Sequence, residues 1–258
     1  MIQLTKVAHI ALGAGNIIRK HYTNNKPLVA QKSDGSPVTD ADLAAQEHIC
    51  EGLSKIEPSI PIISEEGNIP DYSVRKFWQR FWLVDPLDGT KEFINRTDEF
   101  TVNIAMIQDG VPHLGVIYVP VKNVIYFAQA GKGSWKQCQE ADPERLYSRF
   151  PDPSKELVVV ESRSHANPRL ETFLASYKVK SRIKAGSSLK FCLVAEGKAD
   201  IYPRLGPTME WDVAAGDCIY RNSARTGQHP VMLDYNKPSL RNTGFVIGLA
   251  PGTFSFPT

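Results

Sequence analysis

The chain has 258 residues, 42% hydrophobic and 22% charged, which excludes disorder or a coiled coil for the whole and suits one compound domain or two small lobes. With 30 basic and 28 acidic residues the net charge is +2, so there is no global basic field, and bulk nucleic-acid binding is excluded. No run approaches the ~18 apolar residues of a membrane span, and Cys50, Cys138, Cys192 and Cys218 show neither CxxC nor zinc-ligand spacing, which reads as reduced thiols in the cytoplasm.

Leu4, Val7, Ala11, Ala14 and Ile18 share one face, which predicts an amphipathic helix over 4–20. Its basic pair, Arg19-Lys20, follows the apolar stretch, the reverse of a signal peptide. The polar segment 20–35 predicts a loop or hairpin. Thr39 reads as the N-cap of a helix to about Lys55, with Ala41, Ala45, Ile49 and Leu53 at helical spacing. The period then changes. Strands are predicted at 60–64, 80–84, 100–107, 114–119 and 124–130, with the hairpin signal Asp109-Gly110 inside the series and Gly131-Lys132-Gly133 as its end. The polar, proline-bearing stretch 137–153 is the best boundary between an N-terminal lobe, 1–140, and a C-terminal lobe, 141–258. Beyond it, strands at 157–161, 179–183, 199–202 and 245–249 alternate with helices at 167–177, 188–196 and 212–221. Hairpins in one half and βαβ-like alternation in the other predict a two-lobed protein of mixed α and β content.

The carboxylates carry the chemistry. Asp85-Pro86-Leu87-Asp88-Gly89-Thr90 follows the strand RFWLV, and two Asp residues three apart at a strand end put both carboxylates on one small concave surface. Taken alone this is an Asx-type turn. Ser64-Glu65-Glu66-Gly67 alone is a solvated loop, Trp211-Asp212 a helix first turn, and Thr39-x-x-Asp42 a near capping box. Together they form an oxygen-rich set of the kind hard divalent cations and phosphate esters need.

These segments resemble a known family. Glu65, the run WLVDPLDGT from Trp82 to Thr90, and Glu210-Trp211-Asp212 are similar to the three metal-binding signatures of the inositol monophosphatase-like, Mg²⁺-dependent, lithium-sensitive phosphatases, and Val38 to Asp42 (VTDAD) to the segment with their catalytic aspartate. The resemblance runs from about Val7 to Leu249. It implies an α+β fold with layers in the order αβαβα, in two lobes with the site between them. It implies that Glu65, with Glu66 beside it, ligates metal, that Asp85 bridges two ions, and that Asp88 and Asp212 hold the second. Leu87 would contribute its main-chain carbonyl. Thr90 would hydrogen-bond to Asp42, the pair orienting and deprotonating the attacking water, and the N–H groups of Gly89 and Thr90 would hold the phosphate. Two or three Mg²⁺ ions are implied. The physics agrees, because a phosphate dianion is repelled by carboxylates unless metal ions invert the local charge.

Two more segments bear on the substrate. Gly186-Ser187-Ser188-Leu189-Lys190 opens a helix and suits a second anion. Ser162-Arg163-Ser164-His165 follows a strand. With Lys91-Glu92-Phe93 they resemble the CysQ-type branch of the family, the 3'(2'),5'-bisphosphate nucleotidases, which convert adenosine 3',5'-bisphosphate to AMP and phosphate. The resemblance implies that His165, Gly186, Ser188 and Lys190 contact the nucleotide and its remaining phosphate. The expected partner is this small molecule, with no nucleic acid and no protein partner indicated. The expected location is the cytoplasm. Peripheral association with the inner face of a bacterial membrane is compatible with the branch, although no residue argues for it. Two alternatives stay open: an inositol or sugar monophosphatase with the same metals, and a non-catalytic anion-binding protein that kept the fold.

Overall fold

The computed structural model describes residues 2–23, 28–32, 35–164, 168–225, 227, 229, 233–250 and 252–256. Helix α1 (Ile2–Thr23) is followed by the paired short strands β1 (Val29–Gln31) and β2 (Pro37–Thr39), then by α2 (Asp40–Ile56). Asp42, at the third position of α2, accepts the Thr39 N–H through Oδ2 at 2.9 Å, so the predicted helix start is also the observed one.

A seven-stranded sheet comes next, its strands in sequence order: β3 (Ile62–Ser64), β4 (Arg80–Asp88), β5 (Thr101–Gln108), β6 (Val111–Val119), β7 (Val124–Gln129), β8 (Gly133–Cys138) and β9 (Glu144–Arg145). Only β3 and β4 run parallel; the other neighbours are antiparallel. The meander does not end at Gly131–Gly133 as expected from sequence. Gly133 instead opens β8, whose Trp135 stacks on Phe127 of β7. Two short helices, α3 (Tyr72–Arg75) and α4 (Thr90–Ile94), interrupt the connections on either side of β4.

The second half contains β10 (Glu156–Ser162), α5 (Pro168–Leu174), β11 (Lys178–Ala185), α6 (Leu189–Ala195), β12 (Tyr202–Arg204), β13 (Thr208–Met209), α7 (Glu210–Arg221), β14 (Arg241–Asn242) and β15 (Phe245–Ile247). β10 pairs in parallel with β11, bridges to Ile201 beside β12, and β12 pairs with β15. The strand expected at 199–202 thus starts three residues later and ends two later, with the Ile201 bridge and Tyr202 in the predicted span.

Core packing fixes the layers. Trp82, Val84, Val102, Ile104, Val116 and Tyr118 bury one face of the large sheet against α1 and α2. Leu83, Ala105, Ile107, Ile117 and Ala128 bury the other against α6 and α7. Beyond those helices, Leu157, Val159, Ile201 and Val246 back the smaller sheet onto Phe173 and Leu174 of α5. The order is therefore helix, sheet, helix, sheet, helix, in agreement with the layered α+β expectation. A sheet buried on both faces must be apolar at successive positions, and β4 accordingly reads as an unbroken apolar run rather than an alternating one. Its far end carries the acidic turn.

Candidate active site

The acidic turn forms where β4 leaves the sheet. Its pairing with β5 breaks between Asp85 and Asp88. Asp85 Oδ1 accepts the Leu87 N–H at 3.1 Å, closing an Asx-type turn. Gly89 has φ of 95°, a left-handed conformation that only glycine adopts at no steric cost, and it hands the chain to α4.

From the neighbouring edge strand Glu65 arrives at the end of β3, and from the helical layer packed on the sheet Asp212 arrives in the first turn of α7. Carboxylate oxygens of Glu65, Asp85 and Asp212 lie within 4.8 Å of one another. Asp88 stands beside them, its Oδ2 taking the Asn103 amide at 3.3 Å and facing the Ser188 hydroxyl at 3.0 Å. Burial pushes Asp85 and Asp212 well above the usual carboxylate range, with the surrounding acids adding to the effect. Asp88 is also raised by burial, opposed by Lys190 and by its own hydrogen bonds. So many buried acids close together stay ionised only with compensating cations. Lys32 supplies one from the loop between β1 and β2, pairing with Glu65 at 2.7 Å and Glu66 at 2.6 Å. The donor set is all carboxylate oxygen, in a cavity that Leu87 also lines, and fits a hard divalent cation.

Asp42 sits behind this cluster, 1% exposed. Its Oδ1 accepts the Thr90 hydroxyl at 3.2 Å, while Oδ2 is held by the Thr39 N–H and hydroxyl. Burial raises its affinity for a proton. Thr90, Gly89, Leu87, Asp88, Asp85 and Glu65 line a cavity of about 320 Å³.

Ser188 and Lys190 line the same cavity. Lys190 is buried, its Nζ 2.6 Å from the Ser187 carbonyl and above the Tyr202 ring at 5.5 Å. Burial pulls its ammonium down to about 8. The Ser188 hydroxyl accepts from Asn103 at 2.9 Å and shares its one proton between Asp88 Oδ2 at 3.0 Å and the Asp212 carbonyl at 2.7 Å, so it is built into the support of the acids. Gly186 is not on the cavity wall, and its N–H binds Glu99 at 2.8 Å. His165 lies outside the described residues. One functional candidate was missed from sequence. Arg204, at the end of β12, lines the same wall as Lys190, and its buried Nε has no partner among the described residues. A lone Arg between Pro203 and Leu205 carries no motif, and only the fold brings it beside Lys190.

Comparison with known proteins agrees with this geometry. The profile of the inositol monophosphatase family matches residues 2–224. A 3'(2'),5'-bisphosphate nucleotidase CysQ of Escherichia coli K12 is 47% identical over 253 residues, 95% of this chain and 99% of that one. That of Salmonella typhimurium is 48% identical over 249 residues, 94% of this chain and 98% of the other. The crystal structure of CysQ from Bacteroides thetaiotaomicron superposes with a TM-score of 0.79 at 42% identity, covering 95% of this chain and 96% of that one.

Proposed function

The chain belongs to the inositol monophosphatase family, and from that premise we propose that it is the family's 3'(2'),5'-bisphosphate nucleotidase, hydrolysing adenosine 3',5'-bisphosphate to AMP and phosphate. The observation that carries the choice is the pair of cations, buried Lys190 and half-buried Arg204, on the cavity wall facing the acids. An ester with one phosphate would leave that wall idle. A second phosphate gives the two cations an anion to pair with, and gives the unpartnered Arg204 Nε an acceptor.

Members of this family are metal-dependent. Here Glu65, Asp85, Asp88, Asp212 and the Leu87 carbonyl would hold two or three Mg²⁺ ions. When bound, the ions neutralise the phosphate dianion and lower the pKa of the attacking water. The chain's own residues do the rest. Gly89 and Thr90 orient the scissile phosphate through their N–H groups. The Thr90 hydroxyl accepts a hydrogen bond from the water and relays its proton to Asp42 Oδ1. The water oxygen forms the new P–O bond, the bond to the ribose oxygen breaks, and that oxygen takes up a proton. Lys190 and Arg204 hold the remaining phosphate, with Gly186 and Ser188 supporting the segment, and His165 is assigned to the nucleotide. In the same reading residues 1–140 form the lobe with most acids, 141–258 the lobe with Asp212 and the second anion site, and the protein works in the cytoplasm. No helix among the described residues is long and apolar enough to cross a membrane.

The test is phosphate release from adenosine 3',5'-bisphosphate and, separately, from inositol 1-phosphate, each with Mg²⁺ and with a chelator. Faster release from the nucleotide, abolished by chelation, is the expected result. Preference for the inositol ester would keep the acid cluster and discard the second anion site.

A further inference from the structure

The two walls of the cavity come from distant parts of the chain, and the Glu99 carboxylate is among the groups that tie them together. Glu99 lies just before β5, on the connection that leaves β4 at Asp88 and also carries Thr90 and Glu92. Its Oε2 accepts the Arg163 Nε–H at 2.8 Å and the Gly186 N–H at 2.8 Å, and its Oε1 accepts Arg163 Nη2 at 2.9 Å. Its main-chain carbonyl accepts the Ser187 hydroxyl at 2.6 Å. Arg163 closes the knot by donating to the Lys184 carbonyl at 2.8 Å. A parallel tie joins Ser164 to Glu92.

The approach is tight. A Cβ on Gly186 would stand 2.7 Å from the Glu99 carbonyl oxygen, so only glycine fits there. Ser187, the next residue, has φ of 39°, a conformation that costs energy for a residue with a side chain and is kept only where its surroundings hold it. That strained residue supplies the carbonyl that grips Lys190 Nζ at 2.6 Å. The chain of contacts therefore runs from Glu99 through Gly186 and Ser187 to the Lys190 ammonium. Neither Glu99 nor Arg163 lines the cavity.

We propose that Glu99, clamped by Arg163, is a positioning residue that sets the separation between the acid cluster and the Lys190 ammonium, and thereby selects esters bearing a second phosphate. The proposal rests on the bisphosphate reading above. It gives the bidentate pair a role beyond joining the two halves. Two phosphates on one ribose span a limited range of spacings, and a cation displaced by an ångström weakens its hold on the second while the first is still held. Displacements of that size cost up to about 10²-fold in comparable sites.

The experiment compares adenosine 3',5'-bisphosphate with adenosine 3'-monophosphate, which lacks only the second phosphate, in the wild type, Glu99→Ala, Glu99→Gln and Arg163→Ala. Melting temperature is recorded for each variant. Glu99→Ala is expected to raise KM for the bisphosphate about tenfold or more while leaving kcat/KM for the monophosphate within about threefold, so the selectivity ratio collapses. Glu99→Gln keeps one acceptor for Gly186 and should recover part of the ratio, which a merely structural loss would not do. Equal losses on both substrates, or an unchanged ratio in Glu99→Ala, would overturn the assignment. The wild-type arm separates the two levels: no preference for the bisphosphate there discards the functional reading, and the Glu99 proposal with it. A wild-type preference that survives in Glu99→Ala discards the Glu99 proposal alone.

Discussion

Asp42, Asp85 and Asp212 each divide their two oxygens between the backbone and the site. Asp42 Oδ2 takes the Thr39 N–H, Asp85 Oδ1 takes the Leu87 N–H, and Asp212 Oδ2 takes the Met209 N–H at 2.7 Å. The local readings, cap and Asx turn, are thus correct, and they are also what aims the second oxygen. An Asn at position 212 keeps an acceptor for the cap but loses the charge. Asp212→Asn should therefore fold with a melting temperature near the wild type and lose more than about 100-fold in turnover, with Mg²⁺ binding by calorimetry falling in parallel. Near wild-type turnover would remove Asp212 from the metal set. Thr90→Ala removes the hydroxyl that reaches Asp42 and should cost about 10²–10⁴-fold in kcat, while Mg²⁺ affinity changes little. Ser188→Ala takes a support from Asp88, and a loss of about 10–100-fold in Mg²⁺ affinity is expected. Unchanged affinity would place Ser188 on the substrate side alone. At this scale the sequence spacing revealed the acids, because each sits at a chain reversal with its own signature. It did not reveal Lys32 or Arg204, whose partners are chosen by folding rather than by neighbours in the chain.

Helix α7 shows how closely the elements must meet. It crosses the sheet over β6, where a Cβ on Gly115 would lie 2.7 Å from the Ala215 carbonyl oxygen and 2.7 Å from Cys218 Cβ. Gly115→Ala must push the helix away from the sheet, and an overpacking cost of about 1–3 kcal/mol is expected in urea denaturation. Because α7 also carries Asp212, turnover should fall with it. Retained stability would show that the helix can shift without strain. The longer elements were legible because their pattern is regular: α1 and α2 present buried stripes, and β4 to β7 carry β-branched and aromatic residues. The misses were short elements or ones that carry a chain breaker. α4 has five residues, too few for a period. β8 opens on a glycine, which reads as a terminator. β12 contains Pro203, which has no N–H to donate, so its two pairings fall on different residues and its centre moves beyond the predicted span.

Two buried groups make opposite demands on the folded molecule as pH changes. Asp217 is fully buried on α7 with the Tyr235 hydroxyl at 2.9 Å, and burial pushes it up to about 6. Its folded pKa exceeds the unfolded value, so the native state holds a proton that the unfolded chain releases. Stability is lost as pH rises from about 4 to about 6, by about 3 kcal/mol from this group. His229 is sandwiched between Tyr220, at 4.2 Å, and Phe150, at 5.3 Å, and burial pulls it down to about 4. Its contribution is fully present above about 6.5 and is lost as pH falls toward 4. The two slopes oppose over the same window. With Mg²⁺ saturating, the wild type should show a shallow pH dependence of stability between pH 4 and 6. Asp217→Asn should expose the loss on the acid side, and His229→Gln the loss on the alkaline side. A wild-type profile unchanged by either variant would refute the opposition.

The sheet's two faces are closed at different times during synthesis. The helices that cover the face bearing Trp82, Val102 and Ile104, α1 and α2, precede it in the chain, so Ile104 and Tyr118 have a partner surface as soon as they emerge. The face bearing Leu83, Ile107, Ile117 and Ala128 waits for α6 and α7, which follow the last strand by tens of residues. At about 5–20 residues per second this exposes a broad apolar surface on the ribosome for several seconds. The nascent chain is therefore sticky before it is an enzyme, and a chaperone that shields one side of a finished sheet would serve it best.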